Sequence, residues 1–382
     1  MSALFTPLKL GTIVIPNRIG MAALTRNRAT GTIPTDVMRE HYLQRAQGGA
    51  GLIVTDAVLV SRQGTEWQDA PGLWDQAQVE GWKKIVDAVH GAGSKIYAQL
   101  WHTGRVSHPE APQQILAGVP VYAPSAISAR GGKFRFIPGA PGYVTPTELP
   151  DPKTVVALFK EAAVNAKKAG FDGIEFHGAN GYLIHQFLDS SSNHRTDEYG
   201  GSVENRARFV LELIAAVQDV FGPDVAIKLS PCGGYNDMGM PLSETIATFG
   251  YLLAQIDALP TPLSYVCLAL YNPYLDIELE GTMRGTTHDV LQTYKGYFKS
   301  KPRRTKLFLN SGIQPDQAET FVGDGEGDVA GIFFGLAWIA HPDLAKRIQA
   351  NKPIDNAVDL TKLYGAPGVD PNLGYNDYKA AV

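Results

Sequence analysis

The sequence predicts an α/β protein built as a single (β/α)8 TIM barrel, on three observations. Apolar runs of strand length alternate with longer segments of helical period along the whole chain. Eight such pairs can be counted, which favours one closed parallel barrel over two doubly wound domains. Two long interruptions leave from the C-terminal ends of strand candidates, the face on which barrel enzymes carry their chemistry.

In chain order, residues 4–16 read as a hairpin that plugs the barrel floor. The strand candidates are Ile19–Leu24, Leu52–Val58, Lys95–Trp101, Gly173–His177, Val225–Ser230, Tyr265–Leu270, Lys306–Asn310 and Val329–Phe334. Helical patterns lie near 36–47, 78–91, 153–169, 203–220, 243–257, 288–298, 314–322 and 342–350. The third shows the period well, with Val155, Leu158, Phe159, Ala162, Ala163 and Ala166 at i, i+3, i+4 spacing; Phe209, Val210, Leu213, Ile214 and Val217 repeat it in the fourth. A Gly/Pro-rich excursion over 102–150 contains Phe134, Phe136 and Tyr143, and reads as a cap over the mouth. A second long loop, Tyr271 to Thr287, follows the sixth strand. Residues 1–382 are thus expected to form one domain, with 1–18 as its hairpin and 366–382 as a C-terminal tail.

At 382 residues and net charge −4, the chain has no long basic stripe, so nucleic acid is not an expected partner. The five basic residues from Lys299 to Lys306 precede an apolar strand and read as its solvated approach. Two cysteines, Cys232 and Cys267, cannot build a disulfide framework or a Cys-rich metal site. Met1 to Lys9 lacks an apolar signal core and no apolar run reaches membrane-spanning length, so no membrane partner and a cytoplasmic location are expected. The oligomeric state, monomer or homodimer, stays open.

The strand ends make a list: Thr25, Ala57, Gln99 with Trp101, His177, Lys228, Leu270, Ser311-Gly312 and Gly335-Leu336. The last two pairs either let backbone amides approach a phosphate or only make tight βα turns. Lys228 needs a negative partner, and two are open: Glu175, on the same strand face as His177, or an anionic ligand ring. His177, Asn180 and Tyr182 fall within six positions at the end of the fourth strand. Two neutral donors beside a phenol suit a carbonyl oxygen to be polarised and a carbon to be protonated. His185 and His194 read as structural, and Gly323 to Gly327, which precedes a strand, as a surface turn.

Several long stretches resemble the Old Yellow Enzyme family of FMN-dependent ene-reductases and NADPH dehydrogenases, in a fungal-type form. They are Phe5-Thr6-Pro7-Leu8 with Pro16-Asn17-Arg18-Ile19, Met21 to Arg26, Gln99 to Arg105, His177 to Leu188, and Ser192 to Arg206. The likeness runs from about residue 3 to residue 365. It implies non-covalent FMN across the barrel mouth, NADPH as reductant, and an α,β-unsaturated aldehyde or ketone as the small-molecule substrate. By position it implies that Thr25 bonds the flavin O4, with Ala23, Leu24 and Ala57 beside it. Gln99 would pair with the pyrimidine edge and Lys228 would sit by N1 and O2. Ser311, Gly312, Gly335 and Leu336 would surround the phosphate. His177 and Asn180 would hold the substrate oxygen, Tyr182 would protonate the α-carbon, and Trp101 would shape the pocket. No metal is implied.

Two positions depart from the family's pattern. Lys228 stands where Arg is common, keeping the charge without the planar fork. Leu336 stands where an Arg commonly grips the FMN phosphate, so FMN is expected to bind less tightly. Rival chemistries fit poorly. A glycoside hydrolase needs a second carboxylate where Asn310-Ser311 stands, and a metal-dependent hydrolase needs histidines where Ala23-Leu24-Thr25 stands. The alternative that survives is a flavin-poor relative that binds phenols or steroids, or an isomerase.

Overall fold

The computed structural model describes residues 2–132, 142–298, 304–325 and 327–382. Phe134, Phe136, residues 299–303 of the basic run, and Glu326 therefore lie outside the described residues. The chain opens with a hairpin, β1 (Leu8–Leu10) against β2 (Ile13–Ile15). The barrel strands follow as β3 (Ile19–Met21), β4 (Leu52–Leu59) and β5 (Lys95–Trp101). After them come a two-stranded ladder in the excursion, β6 (Tyr122–Ala123) and β7 (Thr147–Glu148), and then β8 (Gly173–Gly178). The last four are β9 (Val225–Leu229), β10 (Tyr265–Ala269), β11 (Lys306–Asn310) and β12 (Gly331–Phe334). Strands β3, β4, β5, β8, β9, β10, β11 and β12 close into one parallel barrel.

The helices are α1 (Asp36–Gln47), α2 (Gln76–Gly91), α3 (Pro112–Ala117), α4 (Pro152–Ala169), α5 (Leu183–Leu188) and α6 (Val203–Phe221). They continue as α7 (Leu242–Asp257), α8 (Val290–Tyr294), α9 (Pro315–Val322), α10 (Leu336–Ala340) and α11 (Leu344–Gln349). Their starts follow from local chemistry. Thr35, Asp75, Asp151 and Ser202 each accept a first-turn amide, and Asp75 with Gln78 forms a capping box. The apolar stripe of α6 is fully buried at Phe209, Val210, Leu213, Ile214 and Val217, which is what fastens the helix to the sheet.

Three expectations need correction. The first barrel strand ends at Met21, so Ala22 to Thr25 run on beyond the ladder. The segment near 288–298 is a short α8 followed by a 3-10 turn over Lys295–Tyr297, because only five residues propagate as α-helix there. The expected last strand begins at Gly331, two residues late, since its ladder with β11 starts there.

The inside of the barrel is layered. Tyr97, Tyr265, Phe308 and Phe333 form an aromatic floor, with Tyr265 5.1 Å from Phe308 and 5.4 Å from Phe333 between ring centres. Gly20, Gly173 and Gly331 make room for these rings, since a Cβ at each would sit within 2.4 Å of Phe333, Tyr97 and Phe308 respectively. Leu10 and Ile15 of the hairpin pack in the same cluster, as a floor plug should. Above the floor the lining turns polar, and that change of character places the site.

Candidate active site

Five inward-facing side chains rise above the aromatic floor: Gln99 and Trp101 on β5, Glu175 and His177 on β8, and Lys228 on β9. Register sets them side by side, Gln99 opposite Glu175 and His177 opposite Lys228. Glu175 is 2% exposed, and both its oxygens accept hydrogen bonds, from Gln99 Nε2 at 2.7 Å and from the Tyr265 hydroxyl at 2.8 Å. Lys228 is also buried, yet no carboxylate lies within ion-pair distance of it among the described residues. The two partners left open for this lysine are thereby ordered. Glu175, on the neighbouring strand, acts on it through space.

The turn after β8 gathers the second set. Asn180 adopts a left-handed conformation (φ 58°), which asparagine tolerates. Its N–H donates to Ser230 Oγ at 2.8 Å and its carbonyl accepts from Asn236 Nδ2 at 2.9 Å, so the backbone is held from both sides. Gly181 (φ 70°) is required next, because a Cβ there would meet Met238, Asn236 and the Tyr235 carbonyl within 2.8 Å. His185 Nδ1 accepts the Gly181 N–H at 3.1 Å, which gives it the structural role expected. The Tyr182 ring then lies edge-on to His177, 4.7 Å between centres, and to Trp101, 4.9 Å. Burial, with Lys228 and His185 nearby, holds His177 well below the ordinary imidazole range, so it is neutral. Its Nδ1 and the Trp101 Nε1 are buried without a protein partner.

The remaining predicted residues rim this centre. Thr25 is half-buried and its hydroxyl makes no hydrogen bond among the described residues. Ala57 is buried on β4, just past a bulge at Thr55 and Asp56 that breaks the register with β5. Across the barrel, Ser311 (φ 80°) and Gly312 (φ 71°) follow β11, and a Cβ on Gly312 would meet nothing within 4 Å. Leu24 is the one neighbour a Cβ at Gly335 would meet, at 3.7 Å. Leu336 opens α10 and is 52% exposed. Open space over small residues, a buried cation, a polar amide and unpaired donors fit a flat heteroaromatic ring with an anionic tail. Leu336 brings an apolar side chain to the start of α10, where a cation would pair with such a tail.

Sequence reasoning missed three contributors. Trp67, in the loop after β4, packs 4.7 Å from Tyr364 of the C-terminal segment, and both belong to the apolar cluster of Trp101 and Tyr182. Asp56 accepts the Arg26 N–H at 2.8 Å and the Tyr42 hydroxyl at 2.6 Å, tying the Thr25 segment to β4. A tryptophan in a loop at a strand's C-terminal end was a usable signal. Tyr364, some three hundred residues away, gave none.

The sequence model of the NADH:flavin oxidoreductase / NADH oxidase family matches residues 3–355. The chain is 34% identical to the flavin oxidoreductase hxnT of Emericella nidulans, covering 100% of this chain and 98% of the relative. It is also 34% identical to 12-oxophytodienoate reductase 2 of Arabidopsis thaliana, over 98% of this chain and 95% of that one. Among solved structures, morphinone reductase superposes with a TM-score of 0.85 at 35% identity, over 99% of this chain and 96% of its own. The chain belongs to the NADH:flavin oxidoreductase / NADH oxidase family, the FMN-dependent barrel oxidoreductases of Old Yellow Enzyme type.

Proposed function

We propose that the protein reduces the C=C bond of α,β-unsaturated aldehydes and ketones. The observation that carries this reading is the neutral His177, with an unpaired buried nitrogen, set beside Asn180 and the Tyr182 phenol over a polar barrel mouth. Relatives named as reductases of 12-oxophytodienoate and morphinone, both ketones by name, support it. A cytoplasmic setting and a monomer or homodimer are part of the same reading. Among the described residues, no helix is long and apolar enough to cross a membrane.

FMN held there would supply two-electron chemistry, coupling oxidation of the nicotinamide coenzyme to reduction of the substrate's C=C bond. The chain's own residues do the rest. Lys228 and Gln99 would face the pyrimidine edge, Thr25 the O4, with Ala23, Leu24 and Ala57 closing the slot beside them. Backbone amides around Ser311, Gly312 and Gly335 would receive the phosphate. His177 and Asn180 would donate to the substrate oxygen, so charge developing there is stabilised. Tyr182 would give its phenolic proton to the α-carbon. Trp101, Trp67 and Tyr364 wall the pocket and select which substrate face meets the ring.

A second reading rests on Leu336. Without a cation at that position FMN retention is weaker, and a flavin-poor protein would bind phenols or steroids, or isomerise them, without net reduction. Turnover separates the two. With added FMN and NADPH, 2-cyclohexenone should be converted to cyclohexanone with matching coenzyme oxidation. Binding of the enone without any saturated product would establish the second reading.

A further inference from the structure

Glu175 is not needed by the mechanism above. A fully buried carboxylate is costly, and an apolar side chain of similar volume would commonly fill such a place at no loss of stability. Here two donors, Gln99 Nε2 and the Tyr265 hydroxyl, are committed to it. It sits at the junction of the aromatic floor and the polar mouth, one inward position below His177, with Lys228 on the neighbouring strand.

We propose that Glu175 is the built-in counter-ion of Lys228 and the residue that fixes the Gln99 amide, and that it thereby lowers the reduction potential of the bound flavin. The inference rests on the placement of Gln99 and Lys228 at the flavin's pyrimidine edge. An ionised carboxylate only accepts, so Gln99 must turn its NH2 group toward Glu175. The Gln99 carbonyl and its second N–H are then presented in one defined order to a ring edge that has both a donor and acceptors. Lys228 attracts the negative charge that this edge gains on two-electron reduction, and Glu175 opposes it. Together they present a near-neutral pair to the oxidised ring, whereas Lys228 alone would present a full positive charge.

The groups that face Glu175 agree with a negative charge there. They come from β5 (Gln99), β9 (Lys228) and β10 (Tyr265 and Cys267). Burial pushes the Tyr265 hydroxyl and the Cys267 thiol well up, and the Glu175 charge raises both further. Burial also pushes the Glu175 carboxyl itself up, while Lys228, Gln99 and Tyr265 work against that shift. Both carboxyl oxygens accept, which is the pattern of the ionised form.

The test is the midpoint potential of FMN on the holoprotein, with dissociation constants for oxidised and reduced FMN. Glu175→Gln keeps the shape and removes the charge. It should favour reduced over oxidised FMN by about tenfold or more, a rise of about 30 mV for a two-electron couple. Glu175→Asp keeps the charge and shortens the reach, so affinity should fall for both states while their ratio stays within about threefold. An unchanged or lower potential in Glu175→Gln overturns the inference, as does an equal shift in Glu175→Asp. Should Glu175→Gln fail to fold, infrared difference spectra of wild-type holoprotein with carboxyl-labelled glutamate decide. A perturbed ionised carboxylate on reduction is expected, and a protonated acid or no glutamate signal overturns the inference. Wild-type protein that binds no FMN would defeat the flavin assignment itself, a result distinct from any of these.

Discussion

Replacing Leu336 with Arg should tighten FMN binding, and the gain can be worked from the position. Leu336 is 52% exposed at the first turn of α10, so exchanging it removes little buried apolar area. A guanidinium about 4 Å from a phosphate gains about 1–4 kcal/mol per unit charge at effective dielectric constants between 80 and 20. Half-exposure and salt screening favour the low end, and ordering a long side chain subtracts more. The net gain is about 1–2 kcal/mol, or roughly 5- to 30-fold in Kd. The assay is titration of flavin-free protein, followed by quenching of flavin fluorescence, with FMN and with riboflavin. Only FMN carries the phosphate, so only its Kd should fall, and the gain should shrink as salt is raised. An unchanged FMN affinity, or an equal gain for riboflavin, would refute the placement of Leu336 at the phosphate.

Other consequences follow from the same geometry. Tyr182→Phe should lower the enone half-reaction by about 10²-fold or more while flavin reduction by NADPH stays within about threefold; equal losses in both half-reactions would contradict the proton-donor role. Acid should destabilise the fold, because burial holds His102 and His185 at about 4 against about 6.5 in the unfolded chain. The unfolded state then binds more protons below pH 6.5, and stability falls as pH drops from there toward 4, by about 2 kcal/mol per histidine at pH 5. Urea melts of the wild type and of His102→Asn at pH 7 and pH 5 measure this, and an identical pH dependence in both would contradict it. Tyr375 is buried in the C-terminal segment, stacked 3.8 Å from His41, with Arg26 and Arg28 at 4.9 and 5.1 Å from its ring. Tyr375→Ala should cost about 3–5 kcal/mol in urea melts and expose the C-terminal segment to protease; a loss under about 1 kcal/mol would show that the segment is not anchored there.

The barrel was legible because each strand is buried on both faces and each long helix shows one apolar stripe, so period and length separate them. Helix α10 was not, since no periodicity can be read in a run of only five residues. The chemistry of β8 and its turn could be read because His177, Asn180 and Tyr182 are close in sequence. The partner of Lys228 could not, because three strands meet there and only register decides which groups touch. Nor could the pairing of Tyr364 with Trp67, or the capture of the C-terminal segment by Arg26, whose guanidinium donates to the carbonyls of Leu363 and Gly374. Such contacts join chain segments whose spacing carries no pattern.

The most direct test is an anaerobic visible spectrum of the purified protein with FMN, recorded before and after NADPH and again after 2-cyclohexenone. Bleaching of the flavin band by NADPH and its return on adding the enone, with one cyclohexanone formed per flavin reoxidised, is the expected result. A flavin that NADPH bleaches but the enone leaves bleached would contradict the assignment of His177, Asn180 and Tyr182 to a C=C reductase site.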